Sequence, residues 1–205
     1  RIEEPREGRF TELDGTLINA CRDSSGYWLQ TSMRGLEMRS ICFLPGAAAE
    51  GQSGFAGEEG GSDHLAFVHA HGAETRYYRI RWNDRGQLTS VYDKENEREV
   101  LKGEGNRLEI FEDKPMRFDA WDIDIFYMEK VETAELTDPP VLLENNELRT
   151  VIRFSYVYRK SAIVQDMILY GNSRRIDFET TVDWHEDHRL LKAAFELDIR
   201  STRAV

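Results

Sequence analysis

Apolar and polar residues alternate along most of this chain, and a period of two is the pattern of β-strands that bury one face. The alternation is clearest in the C-terminal part, where short polar joints separate the alternating segments. Such joints favour antiparallel strands that lie next to each other in a meander. The pattern therefore predicts four strands here: Glu147–Arg159, Ala162–Tyr170, Arg175–Trp184 and Leu191–Arg200.

A β-hairpin is predicted upstream of these strands. Arg76–Trp82 and Gln87–Tyr92 both alternate, and the turn residues Asn83 to Gly86 lie between them. A short polar turn that ends in glycine is typical of such a hairpin. The same alternation predicts further strands at Gly15–Ala20, Tyr27–Ser32, Leu36–Leu44, His64–Val68, Arg107–Phe111 and Ile123–Glu135.

The strands together predict the fold class. No segment of the sequence shows the apolar stripe and capping residues of an α-helix. We therefore predict an all-β fold, an antiparallel two-sheet β-sandwich, with residues 1–205 as a single domain fragment. Residues 1–10 are charged and without period, which predicts a linker. Residues 47–63 are rich in glycine, alanine and acidic residues, which predicts a flexible loop.

Composition limits the possible partners. The 205 residues carry a net charge of −11, with a pI near 5.0 and 40% hydrophobic residues. This acidity argues against nucleic acid and anionic membrane surfaces, which select basic clusters. No apolar run approaches the ~20 residues of a membrane span. Two cysteines are too few for a disulfide framework, so we expect a reducing, cytoplasmic location.

The candidate site lies between Asn106 and Asp124, where Asp119, Asp122 and Asp124 surround Trp121. Carboxylates beside an indole suit a sugar, because the oxygens accept hydroxyl hydrogen bonds and the ring covers apolar C–H surface. The alternative is a strand-to-loop corner, with the indole in the core and the aspartates solvated or bonded to backbone amides.

Other chemistry has weaker signals. Glu112 and Asp113 join the three aspartates as candidate carboxylates for a retaining glycosidase, which needs two of them about 5 Å apart. His69 and His71 would share one face of a strand, but no third metal ligand stands nearby in the sequence. His185 to His188, HEDH, lacks the spacing of the helical zinc motif H-E-x-x-H, so we expect a polar turn.

Three blocks of the sequence resemble a known family. FEDKP followed by DAWDID, and then Tyr127 and Glu129-Lys130, is similar to the C-terminal β region of family 38 glycoside hydrolases, the α-mannosidases. Glu74–Leu101 and Arg175–Ile199 resemble the same region on either side. The resemblance implies part of a large β-sandwich, a galactose-mutarotase-like supersandwich, that follows a catalytic barrel and a helical bundle.

The resemblance also implies which functions this chain lacks. In the family the nucleophile and the zinc ligands belong to the N-terminal catalytic domain, so we assign no catalytic or metal residue and no cofactor here. We expect the zinc in the parent catalytic domain. The expected partners are the catalytic and helical domains of the same parent chain and a carbohydrate substrate. Asp119, Trp121 and Asp122 are predicted to line the rim of the mannose pocket.

A free-standing carbohydrate-binding or interaction module is the alternative hypothesis. Aromatic rings exposed on one face of a sheet can bind sugars. Tyr77, Tyr127, Tyr156 and Tyr158 are the candidates, although most aromatic residues in strands belong to the core or to cross-strand pairs.

Overall fold

The structure is a computed structural model that describes residues 1–4, 6–23, 26–46, 65–118 and 121–200. Its described residues contain strands and a single 3₁₀ turn, Tyr127–Glu129, and no α-helix. None of the helical structure in this part of the chain is long and apolar enough to cross a membrane. The predicted flexible loop over residues 47–63 lies outside the described residues.

The described ranges contain eighteen strands, numbered in chain order. They are β1 Gly8–Thr11, β2 Leu17–Ile18, β3 Ala20–Asp23, β4 Gly26–Leu29, β5 Cys42–Pro45, β6 Phe67–His69, β7 Gly72–Glu74, β8 Tyr78–Trp82, β9 Leu88–Asp93, β10 Arg98–Glu99, β11 Arg107–Glu112, β12 Val131–Thr133, β13 Glu135–Leu136, β14 Val141–Asn145, β15 Arg149–Tyr158, β16 Ser161–Tyr170, β17 Ile176–Asp183 and β18 Arg189–Ala194.

The chain divides into two compact units. The first comprises residues 1–63 with 146–148, and the second comprises residues 64–145 with 149–205. Each unit has its own hydrophobic cluster. The single domain over residues 1–205 stays a prediction.

The first unit is built around one aromatic residue of β1. A three-stranded antiparallel sheet has the order β2-β1-β5, and β3 pairs with β4. Phe10 is buried, and its ring centroid lies 5.1 Å from that of Tyr27 and 5.0 Å from that of Phe43. These ring contacts explain why the end of the expected linker, residues 1–10, forms a strand instead. The strand predicted over Leu36–Leu44 begins only at Cys42, because Leu36 and Met38 are exposed.

The second unit contains three antiparallel sheets. One has the order β10-β9-β8-β7-β6, another has the order β13-β15-β16-β17 with β14 also on β15, and the third has the order β12-β11-β18. Trp82 of the first sheet meets Phe154 of the second edge to face, with ring centroids 5.5 Å apart. Leu108 and Ile110 of the third sheet belong to the same buried cluster. The all-β, antiparallel sandwich class is confirmed.

The predicted hairpin is confirmed as β8 and β9. The side chain of Asn83 caps its turn, because its Oδ1 accepts hydrogen bonds from the backbone N–H groups of Arg85 and Gln87, each at 3.0 Å. Gly86 adopts a φ of +72°, a region that favours glycine. Its carbonyl accepts a hydrogen bond from the Tyr156 hydroxyl at 3.2 Å, which fastens the turn to β15.

The C-terminal meander is confirmed for three of its four strands. β15 pairs with β16 and β16 pairs with β17, but β18 leaves the meander and pairs with β11 over Glu112↔Arg189 to Arg107↔Ala194. The apolar side chains of β18 therefore lie beside those of β11 in the same sheet. Alternation alone does not distinguish between these two partners.

The strand predicted over Ile123–Glu135 is wrong. Residues 123–126 form a loop, the 3₁₀ turn follows, and β12 covers only Val131–Thr133 before β13 begins. Ile123, Ile125 and Phe126 are all exposed. The alternating apolar side chains of this segment are thus not buried by the described residues.

Candidate functional site

The candidate site is a loop that leaves the central strand of the third sheet. β11 ends at Glu112, and the chain returns to the sheet through the 3₁₀ turn and β12. Phe111 pairs with Val131 on one side and with Leu190 on the other. Both ends of the loop are therefore fixed to the same sheet.

Glu112 holds the two ends of this loop together. Its carboxylate accepts hydrogen bonds from the Nζ of Lys114 at 2.6 Å and from the Nζ of Lys130 at 2.7 Å. The Nη1 of Arg189 lies 3.5 Å from the same carboxylate. The hydrogen bonds from Lys114 and Lys130 lower the pKa of Glu112 to about 2. A carboxylate with so low a pKa stays ionised at neutral pH and cannot act as a general acid.

Asp113 and Asp124 shape the backbone of the loop. The N–H of Asp124 donates to Oδ1 of Asp113 at 2.8 Å, and the N–H of Phe126 donates to Oδ1 of Asp124 at 3.0 Å. The bond from Phe126 to Asp124 is an Asx-type turn, whereas the bond from Asp124 to Asp113 joins two distant positions of the loop. For these two residues the structure supports the alternative of a strand-to-loop corner.

Trp121 lies outside the core. Its side chain is 88% exposed, so the interpretation of the indole as a core residue is wrong. The N–H groups of Trp121 and Asp122 both donate to the carbonyl of Phe118, at 2.7 Å and 2.9 Å. The side chain of Asp122 is exposed as well. Asp119 lies outside the described residues, so sugar binding by Asp119, Trp121 and Asp122 stays a prediction.

The loop presents a run of large apolar side chains to solvent, which we call the apolar loop, residues 116–131. Its members are between 53% and 102% exposed: Met116, Phe118, Trp121, Ile123, Ile125, Phe126, Met128 and Val131. Eight large exposed apolar side chains thus fall within one short segment, and a contiguous apolar patch, where such side chains form one, usually marks a docking or binding site.

One aromatic residue ties this loop to β18. The Tyr127 ring packs edge to face on Phe111, with centroids 5.2 Å apart. The Nζ of Lys192 donates to the Tyr127 hydroxyl at 2.5 Å and lies 4.1 Å from the centroid of the Tyr127 ring. Such a cation over an aromatic face adds electrostatic attraction to the contact. Tyr127 is half-buried and serves the loop's own structure.

Three cations of this site could not be located from the sequence. Lys130 and Arg189 lie far from Glu112 in the chain, and Lys192 lies far from Tyr127. The antiparallel register of β11 with β12 and β18 brings them together. Only the correct pairing of both β12 and β18 with β11 would have located them.

The histidine motifs are at the surface. The Nδ1 of His71 lies 3.8 Å from Oδ1 of Asp84, and the Nε2 of His185 lies 3.0 Å from Oδ1 of Asp183. Glu186 accepts hydrogen bonds from the backbone N–H of Lys160 and the hydroxyl of Ser161. Where the chain is described, no group of three or more histidine, cysteine, aspartate or glutamate residues could hold a metal ion. These residues do not fit a zinc site.

Comparison with known proteins supports the resemblance. The family model described as glycosyl hydrolases family 38 C-terminal domain matches residues 73–205. Alpha-mannosidase G of Dictyostelium discoideum is 35% identical over 139 residues, which is 64% of this chain and 13% of that protein. Alpha-mannosidase 2C1 is 29% identical over 137 residues in Homo sapiens and 31% identical over 137 residues in Mus musculus, in both cases 62% of this chain and 12% of the relative.

The match covers the blocks on which the resemblance depends. Glu74–Leu101, the apolar loop and Arg175–Ile199 all fall within residues 73–205. The chain spans only about an eighth of the length of these relatives. The chain belongs to glycosyl hydrolase family 38, of which it carries the C-terminal domain.

Proposed function

We propose that this chain is a non-catalytic β-sandwich portion of a longer α-mannosidase, a glycoside hydrolase that acts on α-mannosides. It packs on the catalytic and helical domains of that polypeptide and lends the apolar loop to the rim of the sugar pocket. Family membership and the names of the relatives support this proposal. The zinc belongs to the catalytic domain, and the whole protein is cytoplasmic.

Packing on other domains follows from the apolar loop. Side chains as large as Met116, Ile125 and Met128 stand in water here, at a cost of about 1.5–3 kcal/mol for each one that a partner could bury. The Glu112 bridges to Lys114 and Lys130 join the two ends of the loop. A neighbouring domain that covers the apolar loop would remove the exposed surface.

The sugar contact rests on a single observation, the exposed indole of Trp121 on an anchored loop. An indole face covers the C–H surface of a pyranose, and the Asp122 carboxylate accepts hydrogen bonds from sugar hydroxyls. Asp119 would add a second acceptor from the same loop. Because the loop is anchored at both ends, little conformational entropy is lost when the sugar binds.

A non-catalytic role is consistent with the use of the carboxylates. Glu112 is neutralised by lysine side chains, and Asp113 and Asp124 accept backbone hydrogen bonds. A retaining glycosidase needs one carboxyl whose pKa is raised and a second one as nucleophile. We expect the 205-residue chain alone not to hydrolyse a chromogenic mannoside.

The test is Trp121→Ala in the longer α-mannosidase. We expect KM for a mannoside to rise about tenfold, because loss of the aromatic face removes about 1.4 kcal/mol of contact. The matched control is Phe67→Ala, which removes a ring that is 74% exposed on β6. Unchanged KM and kcat in Trp121→Ala, with normal stability, would remove the rim role.

The positions of the tyrosines give little support to the alternative function, a free-standing carbohydrate-binding module. Tyr156 and Tyr158 are buried, so they cannot form a binding platform on a sheet face. Arg76 and Arg174 lie over the ring of Tyr77, at 4.7 Å and 5.6 Å from its centroid. Titration of the 205-residue chain with mannosides distinguishes the two functions, because saturable binding would favour the module.

A further inference from the structure

Lys192 of β18 lies on the outer face of the third sheet. Successive residues of a strand point to opposite faces, and Ile110 of β11 belongs to the buried cluster. Phe111 and Glu109 therefore point outward, and Lys192 is the cross-strand neighbour of Glu109. Phe111 is nevertheless only 7% exposed. The apolar loop covers it, because the half-buried Tyr127 packs edge to face on the Phe111 ring.

The ammonium group of Lys192 contacts both of these rings. Its Nζ lies 4.1 Å from the centroid of the Tyr127 ring and 5.6 Å from that of Phe111, and it donates a hydrogen bond to the Tyr127 hydroxyl at 2.5 Å. Lys192 forms no salt bridge among the described residues, and its neighbour Glu109 is bonded to Arg107 at 2.9 Å instead. The attraction that holds this cation in place thus comes from the rings and the hydroxyl.

This contact fixes the apolar loop at a point that the bridges of Glu112 do not reach. Glu112 binds Lys130 at the end of the loop, whereas Tyr127 lies between Trp121 and Lys130 in the chain. The N–H of Tyr127 donates to the carbonyl of Asp124 at 3.1 Å. The backbone that leads from Trp121 back to the sheet is therefore held at Tyr127 before it reaches its end.

We propose that Lys192 is a positioning residue for the sugar contact of Trp121 and acts through Tyr127. Its ammonium group holds Tyr127 on the sheet, and Tyr127 limits where the loop can place the indole. This inference rests on the proposed function, because it takes Trp121 as part of the rim of the mannoside pocket. It makes the affinity of that rim depend on β18, a strand outside the loop.

The test is Lys192→Met in the longer α-mannosidase, because this change removes the charge and keeps an unbranched side chain. We expect KM for a chromogenic mannoside to rise about threefold with kcat unchanged, since a loop that samples more positions is less often ready to bind the sugar. Amide hydrogen exchange in residues 121–130 should become faster. An unchanged KM would overturn the proposal.

Lys192→Arg and Lys160→Met are the matched controls. Arginine keeps a cation that stacks on aromatic rings and donates hydrogen bonds, so Lys192→Arg should restore KM to near the wild-type value. Lys160 is exposed in the turn between β15 and β16, and its backbone N–H donates to Glu186. Lys160→Met should leave KM and the exchange of residues 121–130 unchanged. Equal rises in KM in the two methionine variants, or no restoration by arginine, would contradict the positioning role.

A gentler variant makes the same test with the ring left in place. Tyr127→Phe removes only the hydroxyl that accepts the hydrogen bond from Lys192 and keeps the contact with Phe111. We expect KM to rise about twofold, less than in Lys192→Met, because the cation remains over the ring. A KM equal to that of the wild type would count against the proposal even if Lys192→Met failed to fold.

The double variant Trp121→Ala/Lys192→Met shows whether Lys192 acts through the indole. Its KM should equal that of Trp121→Ala alone, because the position of the loop no longer matters once the ring is gone. Increases in KM that multiply would mean that Lys192 affects the reaction by another route, and they would refute the proposal.

The single variants separate this inference from the proposed function. If Trp121→Ala raises KM and Lys192→Met does not, the sugar contact stands and the positioning role is refuted. If neither variant changes KM, the rim role of Trp121 is refuted and the positioning role falls with it. Faster exchange of residues 121–130 in Lys192→Met at an unchanged KM would show that the contact serves only the structure of the loop.

Discussion

The ladder of β15 and β16 and the apolar loop belong to the same unit but place their large side chains in opposite ways. The two strands share ten paired residues, and Phe154 and Ile163 are fully buried. The loop is held by the ion pairs of Glu112 and by the backbone hydrogen bond from Asp124 to Asp113, and Trp121 is exposed to water. The ladder buries its large side chains within this unit, whereas the loop leaves its large side chains uncovered by the described residues.

The largest effect should come from truncating the ladder. Phe154→Ala removes a ring with no exposed surface that contacts Trp82, so it should lower the free energy of unfolding by about 3–5 kcal/mol. Trp121→Ala deletes a ring of at least equal size from the loop and should change it by less than about 0.5 kcal/mol. Urea unfolding of both variants measures the contrast. Similar losses would mean that the loop is part of the core.

A smaller effect is expected where the ladder meets the start of the site. Asn106, just before β11, donates from Nδ2 to Oε1 of Gln165 at 2.6 Å, and Nε2 of Gln165 donates to Oγ1 of Thr180 at 3.0 Å. Gln165→Leu leaves the buried Asn106 amide without this acceptor, so unfolding should become easier by about 1–3 kcal/mol. Thr180→Val should cost less, because water reaches Thr180. The reverse order in urea unfolding would contradict this account.

The smallest effect concerns the charge at the base of the loop. The pKa of Glu112 falls from 4.5 to about 2 on folding, chiefly through hydrogen bonds from Lys114 and Lys130. Because the folded value is the lower one, its contribution to stability is complete above about pH 4.5 and is lost as the pH falls towards 2. The difference in unfolding free energy between wild type and Glu112→Gln should therefore shrink across this range.

A matched change in net charge controls for this experiment. Glu132→Gln removes one carboxylate that is paired with Arg159 at 3.0 Å and not with Lys114 or Lys130. A difference between wild type and Glu112→Gln that stays constant from pH 5 to pH 2.5 would show that the lysines do not hold the loop through this carboxylate.

The same contrast explains which parts of the structure the sequence could predict. The hairpin of β8 and β9 has its own turn residues, Asn83 and Gly86, so its register is specified locally. The strand predicted over Ile123–Glu135 failed because alternation records which side chains are apolar, not whether the folded chain covers them. Ile125 and its neighbours are apolar without being covered by the described residues.

The sequence predicted where the candidate site lies but not which contacts hold it together. The grouping of aspartates around Trp121 located the loop, and the exposure of the indole agrees with a binding surface. The roles of Asp113 and Asp124 as backbone acceptors could be foreseen as an alternative only. Lys114 is close to Glu112 in the sequence, but Lys130 and Arg189 reach Glu112 only in the folded sheet, and β18 had been expected beside β17.

The departure of β18 from the meander has a consequence for the order of synthesis. β11 emerges from the ribosome long before β18, and Glu112 meets Arg189 only after the whole of β15 to β17 has been made. Until then one side of β11 is open, and the apolar loop has only half of its anchors. Because β18 is made late and lies far from β11 in sequence, we expect this part of the sheet to form slowly. Until it forms, we expect the open side of β11 and the apolar loop to be the part of the nascent chain that mispairs or binds chaperones.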